Sequence, residues 1–520
     1  MKNNNEFIQE SSLIRRKKLG QFFTPEIIAK WMAEWTIQKN TETVLDPSLG
    51  LGILAREALN KNNKIKLTGV EIDRKILNYL DSDILDLIDI KNIDFFCLEK
   101  KLTFDSIIAN PPYIRHHDMS ISNETILHCE NIVGEKLSGL SNIYIYFCID
   151  IINRLNKDGR AALIIPTDWM NSNFGKVFKS YLKKTGFLQS VFYLDSELMV
   201  FEDNLSTASI LFLENTSKEK ASIDFFFIKN IKFFNKKPSD NKYKNYFEHQ
   251  QYSWDLLEDT KKWDSLFRRR DRKINYKQSK LIGDFFSSKR GIATGANKFF
   301  NISGKEKKEY GLSNLSLKYC VGSSRDVDGL IFRKKDLNDK LKENKRLYLF
   351  DPPEKLSKSD KKYIKLGEEQ AFHLRYLTAN KEFWFKQEKR DYSPIWIGVF
   401  NRNNIRFIYN ETKSVSLTTF HNLYTKLTLS KSEIMALVFI LNHEISKDLI
   451  LDQRRVYGNG LIKFEPKDIL DIVIPDLKKI KRSNILALAS ELKILDKCYR
   501  ENKKYKTNQE ISKILESIIA

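Results

Sequence analysis

The sequence predicts an α/β protein whose first half is a doubly wound, Rossmann-like sheet, and three observations carry that prediction. Strand-like and helix-like stretches alternate from Thr43 to Leu194, the pattern of a largely parallel sheet covered on both faces. A glycine turn, Asp46-Pro47-Ser48-Leu49-Gly50-Leu51-Gly52, follows the first strand, and Glu71 ends the second about twenty residues later. The apolar run Phe104 to Ala109 stops at Asn110-Pro111-Pro112-Tyr113, because two prolines supply no ladder donors.

Taken in order, a polar lead with basic Arg15 to Lys18 precedes Gln21-Phe22-Phe23-Thr24-Pro25. Thr24 suits an N-cap and Pro25 the first helical position. Ile27, Ile28, Trp31, Met32 and Trp35 then recur at helical spacing, so this helix lays one apolar stripe on the sheet. Thr43 to Asp46 reads as the first strand, Leu67 to Ile72 as the second, Ile93 to Cys97 as the third and Phe104 to Asn110 as the fourth. His116 to Ser141 reads as a long polar loop, and Asn142 to Leu155 as an amphipathic helix. A strand Arg160 to Pro166, a turn Thr167-Asp168-Trp169, a helix Gly175 to Lys184 and a strand Leu188 to Leu194 follow. A last strand, Thr207 to Glu214, closes the sheet as a hairpin behind Val200-Phe201-Glu202-Asp203-Asn204.

The formal net charge is +21, from 88 Lys and Arg against 67 Asp and Glu, over 520 residues. A globular protein this basic meets a polyanion, unless an AT-rich genome has merely inflated its lysine content. Cys97, Cys129, Cys148, Cys320 and Cys498 are odd in number and form no CxxC pair, and His116, His117 and His128 lack ligand spacing. Neither a disulfide framework nor a metal site is expected. The first ten residues have no signal-peptide core, and no apolar run approaches the roughly 18 residues of a membrane span. A soluble cytoplasmic protein is the expectation.

The turn at Asn110 suits methylation of a planar amino group. An amine conjugated to a ring is a poor nucleophile, and two acceptors drawing on its hydrogens push the nitrogen towards an attackable form. The Asn110 side-chain oxygen and the Pro111 carbonyl are candidate acceptors, while the Tyr113 ring offers a stacking face. Gly50 and Gly52 allow close backbone approach to a ligand, and Glu71 stands where it can accept from ribose hydroxyls. Ala55 occupies the place of the third glycine of a pyrophosphate fingerprint, and no Walker lysine is present. Dinucleotides are thereby disfavoured, and S-adenosylmethionine, whose sulfonium Asp46 could favour, fits better.

With these residues assembled, the chain resembles the gamma group of DNA adenine-N6 methyltransferases, the TaqI methyltransferase type. The resemblance covers roughly residues 15 to 215 and rests on QFFTP, DPSLGLG, GVEIDR, DFF, FDSIIANPPY and VFEDNLSTASI in that order. Ser48 and Leu49 depart from the family's usual D-P-A-C-G-x-G. The resemblance implies a class I S-adenosylmethionine-dependent methyltransferase with a seven-stranded sheet. It assigns Thr24, Asp46 and Glu71 to the cofactor, with Ile72 against its adenine, Asp94 accepting from the adenine amine and Phe95 beside it. Asn110, Pro111 and Tyr113 keep their roles as acceptors and stacking face, and Phe201 packs on the other side of the target base.

The implied division is a catalytic domain at 1–235, a basic linker at 236–280 with Arg268 to Lys273, a mixed α+β target-recognition domain at 281–478 and a helical tail at 479–520. Double-stranded DNA is the expected partner of a monomer that modifies a restriction site, with any cognate endonuclease on a separate chain. A methyltransferase acting on RNA or on a protein glutamine amide is the alternative, disfavoured by the basic second half.

Overall fold

Short apolar runs become one sheet in the first of two units into which the chain divides, Met1–Asp271 with Val456–Gly460, and Arg272–Arg455 with Leu461–Ala520. The computed structural model describes all residues other than 1–6, 8–9, 12–14, 17–18, 115–120, 195–197, 199–206, 217–220, 236–245, 268–275, 402–404, 458–460 and 520.

The strands of the first unit are β1 (Thr43–Asp46), β2 (Lys66–Val70), β3 (Ile88–Lys91), β4 (Phe104–Ala109), β5 (Leu155–Pro166), β6 (Leu188–Leu194), β7 (Ala208–Glu214), β8 (Ser222–Ile228) and β9 (Phe247–Ser253). Their order across the sheet is β3-β2-β1-β4-β5-β7-β6-β8-β9. The first five pair in parallel, and β7 runs antiparallel between β5 and β6. Five of the six side chains of β4 are buried, as expected of a strand covered on both faces. Chain order reverses between β1 and β4, so a crevice opens beyond their carboxyl ends, where Asp46 and Asn110 stand.

Two layers cover the sheet. Helices α1 (Glu26–Thr36) and α2 (Ile53–Lys61) bury Ile28, Trp31, Met32, Leu54 and Ala58 on one side. On the other lie α3 (Asn123–Val133), α4 (Ile143–Asn153) and α5 (Gly175–Thr185). Part of the expected polar loop is therefore helix: Ser122 caps α3, and Cys129 and Val133 are its buried residues. Nor is α4 amphipathic, since nine of its eleven residues are buried.

Three further expectations are corrected. Ile93 to Cys97 is not the third strand; β3 precedes it, and Phe95–Cys97 is a 3-10 turn. The sheet has nine described strands rather than seven, because β8 pairs in parallel with β6 and β9 pairs antiparallel with β8. The stretch expected as linker is thus partly structured: after β9, Trp263 and Phe267 are buried in the first unit's core. Lys179 and Lys183 of α5 donate to the carbonyls of Lys261 and Leu257, at 2.6 and 2.5 Å, and fasten that segment down.

In the second unit, strands Phe286–Arg290, Phe420–Thr425, Ile395–Gly398, Phe407–Asn410 and Ile331–Phe332 form a five-stranded sheet in that order. Its core includes the helices Lys431–Asn442 and Arg482–Arg500. The expected tail is therefore part of this core: Leu488, Leu492 and Leu495 are buried, and Asp496 accepts from the backbone nitrogens of Leu330 and Ile331 at 2.6 and 3.0 Å.

Candidate active site

At the carboxyl ends of β1, β2 and β4 lies a cavity of about 340 Å³, walled by residues that include Phe22, Thr24, Ser48, Gly50, Glu71, Ile72, Asp94, Phe95, Asn110 and Pro112. The backbone carbonyl of Val70 accepts from the Leu49 nitrogen at 2.9 Å, and one oxygen of Glu71 accepts from the Gly50 nitrogen at 2.8 Å. The other Glu71 oxygen accepts from the Asp73 nitrogen at 2.8 Å. Glu71 thus holds the glycine turn while its carboxylate lines the cavity. Gly52 faces away from it: its φ is +72°, and a Cβ there would stand 2.9 Å from Leu80 Cδ2 and Ile84 Cδ1. Its hydrogen is what lets α2 start so close to those side chains.

Asp46 is fully buried and stands behind the cavity wall. One carboxylate oxygen accepts from the Ser48 nitrogen at 3.1 Å, and the other has no partner among the described residues. Burial first, and the nearby charge of Glu71 after it, push the Asp46 carboxyl up to about 7. A carboxyl raised in this way holds its proton more tightly folded than unfolded. Its contribution to stability is present below about pH 4 and is lost as the pH rises through about 7. Between pH 5 and 8 the ligand-free protein is therefore expected to lose roughly 2–3 kcal/mol relative to Asp46→Asn. Parallel denaturation series check this, and the same pH profile in both proteins would refute it.

Asp94 caps the turn after β3, accepting from the Phe96 nitrogen at 3.0 Å, and it lines the cavity. Phe95 joins it there but is mostly core, stacked on Phe147 at 4.8 Å and buried to 2% exposure. The Arg154 guanidinium lies 5.4 Å over its ring and donates to the carbonyls of Leu98, Glu99 and Leu102, which fixes this loop. Ile72, by contrast, is 64% exposed and free to cover a flat ligand.

The turn after β4 brings Asn110 and Pro112 to the same cavity wall. The Asn110 Nδ2 donates to the Phe22 carbonyl at 2.6 Å and to the Thr24 hydroxyl at 3.0 Å. Its Oδ1 is buried and has no partner among the described residues. Thr24 does not cap α1, as the sequence suggested; Pro25 occupies the N-cap with no side-chain cap bond, and the hydroxyl turns to Asn110 instead. Ser48 Oγ donates to the backbone carbonyl of Asn110 at 2.9 Å. The Tyr113 ring stacks on Phe22 at 5.3 Å, and its hydroxyl donates to the Ile164 carbonyl at 3.2 Å. Burial raises that phenol well above its ordinary value, so it stays protonated. Phe201 lies outside the described residues.

Sequence reasoning missed three participants. Ser48 was visible only as a departure from a pattern, and Phe22 only as part of QFFTP. Gly20 gave no signal; its φ is +64°, and a Cβ there would stand 2.5 Å from the Tyr113 nitrogen, which donates to the Gly20 carbonyl at 3.1 Å. Any side chain at position 20 would push the turn out of place.

The cavity fits S-adenosylmethionine. Its wall holds apolar Ile72 and Phe95, the carboxylates of Glu71 and Asp94 and, among the described residues, no lysine or arginine to suit a phosphate.

A family model described as the Eco57I restriction-modification methylase matches residues 31–201. Another, the C-terminal domain of the type II methyltransferase M.Eco57I, matches residues 265–519. The chain is 34% identical over 506 residues to the type II methyltransferase M.AccI of Acinetobacter calcoaceticus, spanning 94% of this chain and 92% of that protein. It is 22% identical over 521 residues to the type II methyltransferase M.HindII of Haemophilus influenzae, spanning 96% of each. Among solved structures, a DrdV–DNA complex aligns with 94% of this chain and 58% of its own, with a TM-score of 0.52 and 13% identity, a likeness of fold alone. No described helix is long and apolar enough to cross a membrane. Identity of one third along nearly the whole length, over this strand order, makes the chain a member of the type II restriction-modification DNA methyltransferases, which take their methyl group from S-adenosylmethionine.

Proposed function

We propose that the acceptor is the N6 amine of an adenine flipped out of duplex DNA. The observation that carries this reading is the buried, unpartnered Oδ1 of Asn110 at the cavity wall, an acceptor with nothing of the protein's own to accept from among the described residues. It and the Pro111 carbonyl would each take one hydrogen of the amine, while the nitrogen lone pair attacks the methyl carbon. The cofactor supplies an electrophilic methyl group on a positively charged sulfur. The amine nitrogen would gain that methyl group and give up its surplus proton to water, the sulfur keeping the electron pair of the bond it loses. The protein's part is orientation and acceptance of hydrogen bonds developing in the transition state.

Within the cavity, Glu71 would accept from the ribose hydroxyls, Ile72 and Phe95 would bracket the cofactor's adenine, and Asp94 would accept from its amine. Asp46, Gly50 and Thr24 would complete that wall from behind and beside it. Tyr113 and Phe201 would stack on the two faces of the target base. The second unit, which matches the C-terminal family domain, would read the DNA site. We further propose a monomer acting with an endonuclease on a separate chain; sedimentation on a single-site duplex tests the first, with an obligate dimer as the adverse result.

Methylation-aware sequencing of DNA from cells expressing the protein tests the target base. N6-methyladenine at one sequence is expected, and a mark on cytosine overturns the reading. Phe201→Ala is expected to weaken capture of the flipped base by roughly 1–3 kcal/mol, as for loss of one base-stacking aromatic. A 2-aminopurine placed at the target should brighten on binding wild type and brighten less with the variant. Equal brightening would remove Phe201 from the base pocket.

A further inference from the structure

We propose that Thr24 is a positioning residue for methyl transfer, steadying the Asn110 amide in the orientation that the Phe22 carbonyl selects, with its oxygen and not its nitrogen towards the target amine; this rests on the acceptor reading of Asn110. A carboxamide is nearly symmetric in shape and opposite in chemistry at its two ends. A half-turn about its last bond would bring NH2 to the target amine and remove the acceptor. Something must therefore distinguish the two orientations.

The distinction is made on the far side of the amide. Nδ2 has two hydrogens and two acceptors, the Phe22 carbonyl at 2.6 Å and Thr24 Oγ1 at 3.0 Å. The Phe22 carbonyl can only accept, so in the turned orientation it would face Oδ1 lone pair to lone pair in a buried place, while the Thr24 hydroxyl, able to accept or donate, adds a second tether to the orientation that the carbonyl selects. Thr24 is 4% exposed and relieved of capping, since Pro25 is the N-cap of α1 and makes no side-chain cap bond. Nothing in the start of the helix requires its hydroxyl, and its one described partner is Asn110. Ser48 completes the frame by donating to the Asn110 backbone carbonyl at 2.9 Å, so main chain and side chain are held separately. The family resemblance places Thr24 at the cofactor; in the folded chain it lines the cavity and its hydroxyl accepts from Asn110.

The test is the single-turnover methyl-transfer rate of the full chain at saturating S-adenosylmethionine and saturating cognate duplex, so that losses of affinity do not register. Thr24→Val keeps the shape and removes the acceptor. Its rate is expected to fall about tenfold to a hundredfold, the scale of one buried donor left unpaired. Thr24→Ser is expected to restore the rate to within about threefold of wild type. If Thr24→Val does not give a cooperative melt, Thr24→Ala takes its place under the same criteria. A saturating rate within about threefold of wild type, or a loss that Thr24→Ser does not restore, overturns the proposal. Asn110→Ala separates the two levels: if it retains turnover, the acceptor reading itself has failed, whereas if it is inactive and Thr24→Val is not, only the positioning role has failed.

Discussion

Asn110→Ala is expected to lower the rate of methyl transfer by about a hundredfold to a thousandfold while leaving the affinities for DNA and S-adenosylmethionine within a few-fold of wild type. The amide oxygen is an acceptor whose hydrogen bond strengthens as the amine nitrogen takes on positive charge, so its loss falls on the transition state more than on the ground state. The Pro111 carbonyl remains and accounts for residual turnover. The truncation also leaves the Phe22 carbonyl and Thr24 hydroxyl without the Nδ2 donor, which costs stability on the order of 1 kcal/mol and leaves the fold standing. Rapid-quench single turnover, beside equilibrium titrations of each ligand, distinguishes the outcomes. A variant that keeps near-normal turnover would remove Asn110 from the chemistry.

Raising salt from about 50 to about 200 mM is expected to weaken DNA binding by about tenfold to a thousandfold. Ion pairs within the protein, such as Arg160 with Glu214 at 2.9 Å and Arg154 with Asp150 at 3.0 Å, cancel charge one for one and release no counterions. They leave the excess untouched, since 88 basic against 67 acidic residues still differ by 21. Phosphates are the partners that this excess suits, and each neutralised phosphate adds to the salt slope. Fluorescence anisotropy across a salt series measures it, and a flat response would make the charge a matter of composition alone.

Much of the first unit was legible because its signals are local. β1, β4 and β6 were placed within a residue at each end, since proline, glycine or a charged residue terminates each apolar run. The Asn110 turn announced itself because two prolines cannot extend a ladder. Where local signals competed, the reading failed. Leu87 to Cys97 holds two strand-like stretches, and the second becomes a turn because the Asp94 carboxylate takes the Phe96 nitrogen. The strand β9, Phe247–Ser253, is polar and half-exposed along its length; its pairing comes from the free edge of β8, which no property of its own residues reveals. The helix Arg482–Arg500 looked like a solvated tail because its lysines are as visible in sequence as its leucines, and only packing shows which face is covered.

By itself the sequence determined the strand ends that bear Asp46, Glu71 and Asn110, the glycine turn between them, and the basic excess. Those follow from residue type and spacing along a few tens of positions. The direction in which Asn110 points was decided only by the tertiary structure. Its amide is set by a carbonyl 88 residues away and a hydroxyl 86 residues away, brought to it by folding of the segment before α1. A carboxamide has the same shape in both orientations, so only the donors and acceptors gathered around it in the folded chain can choose between them.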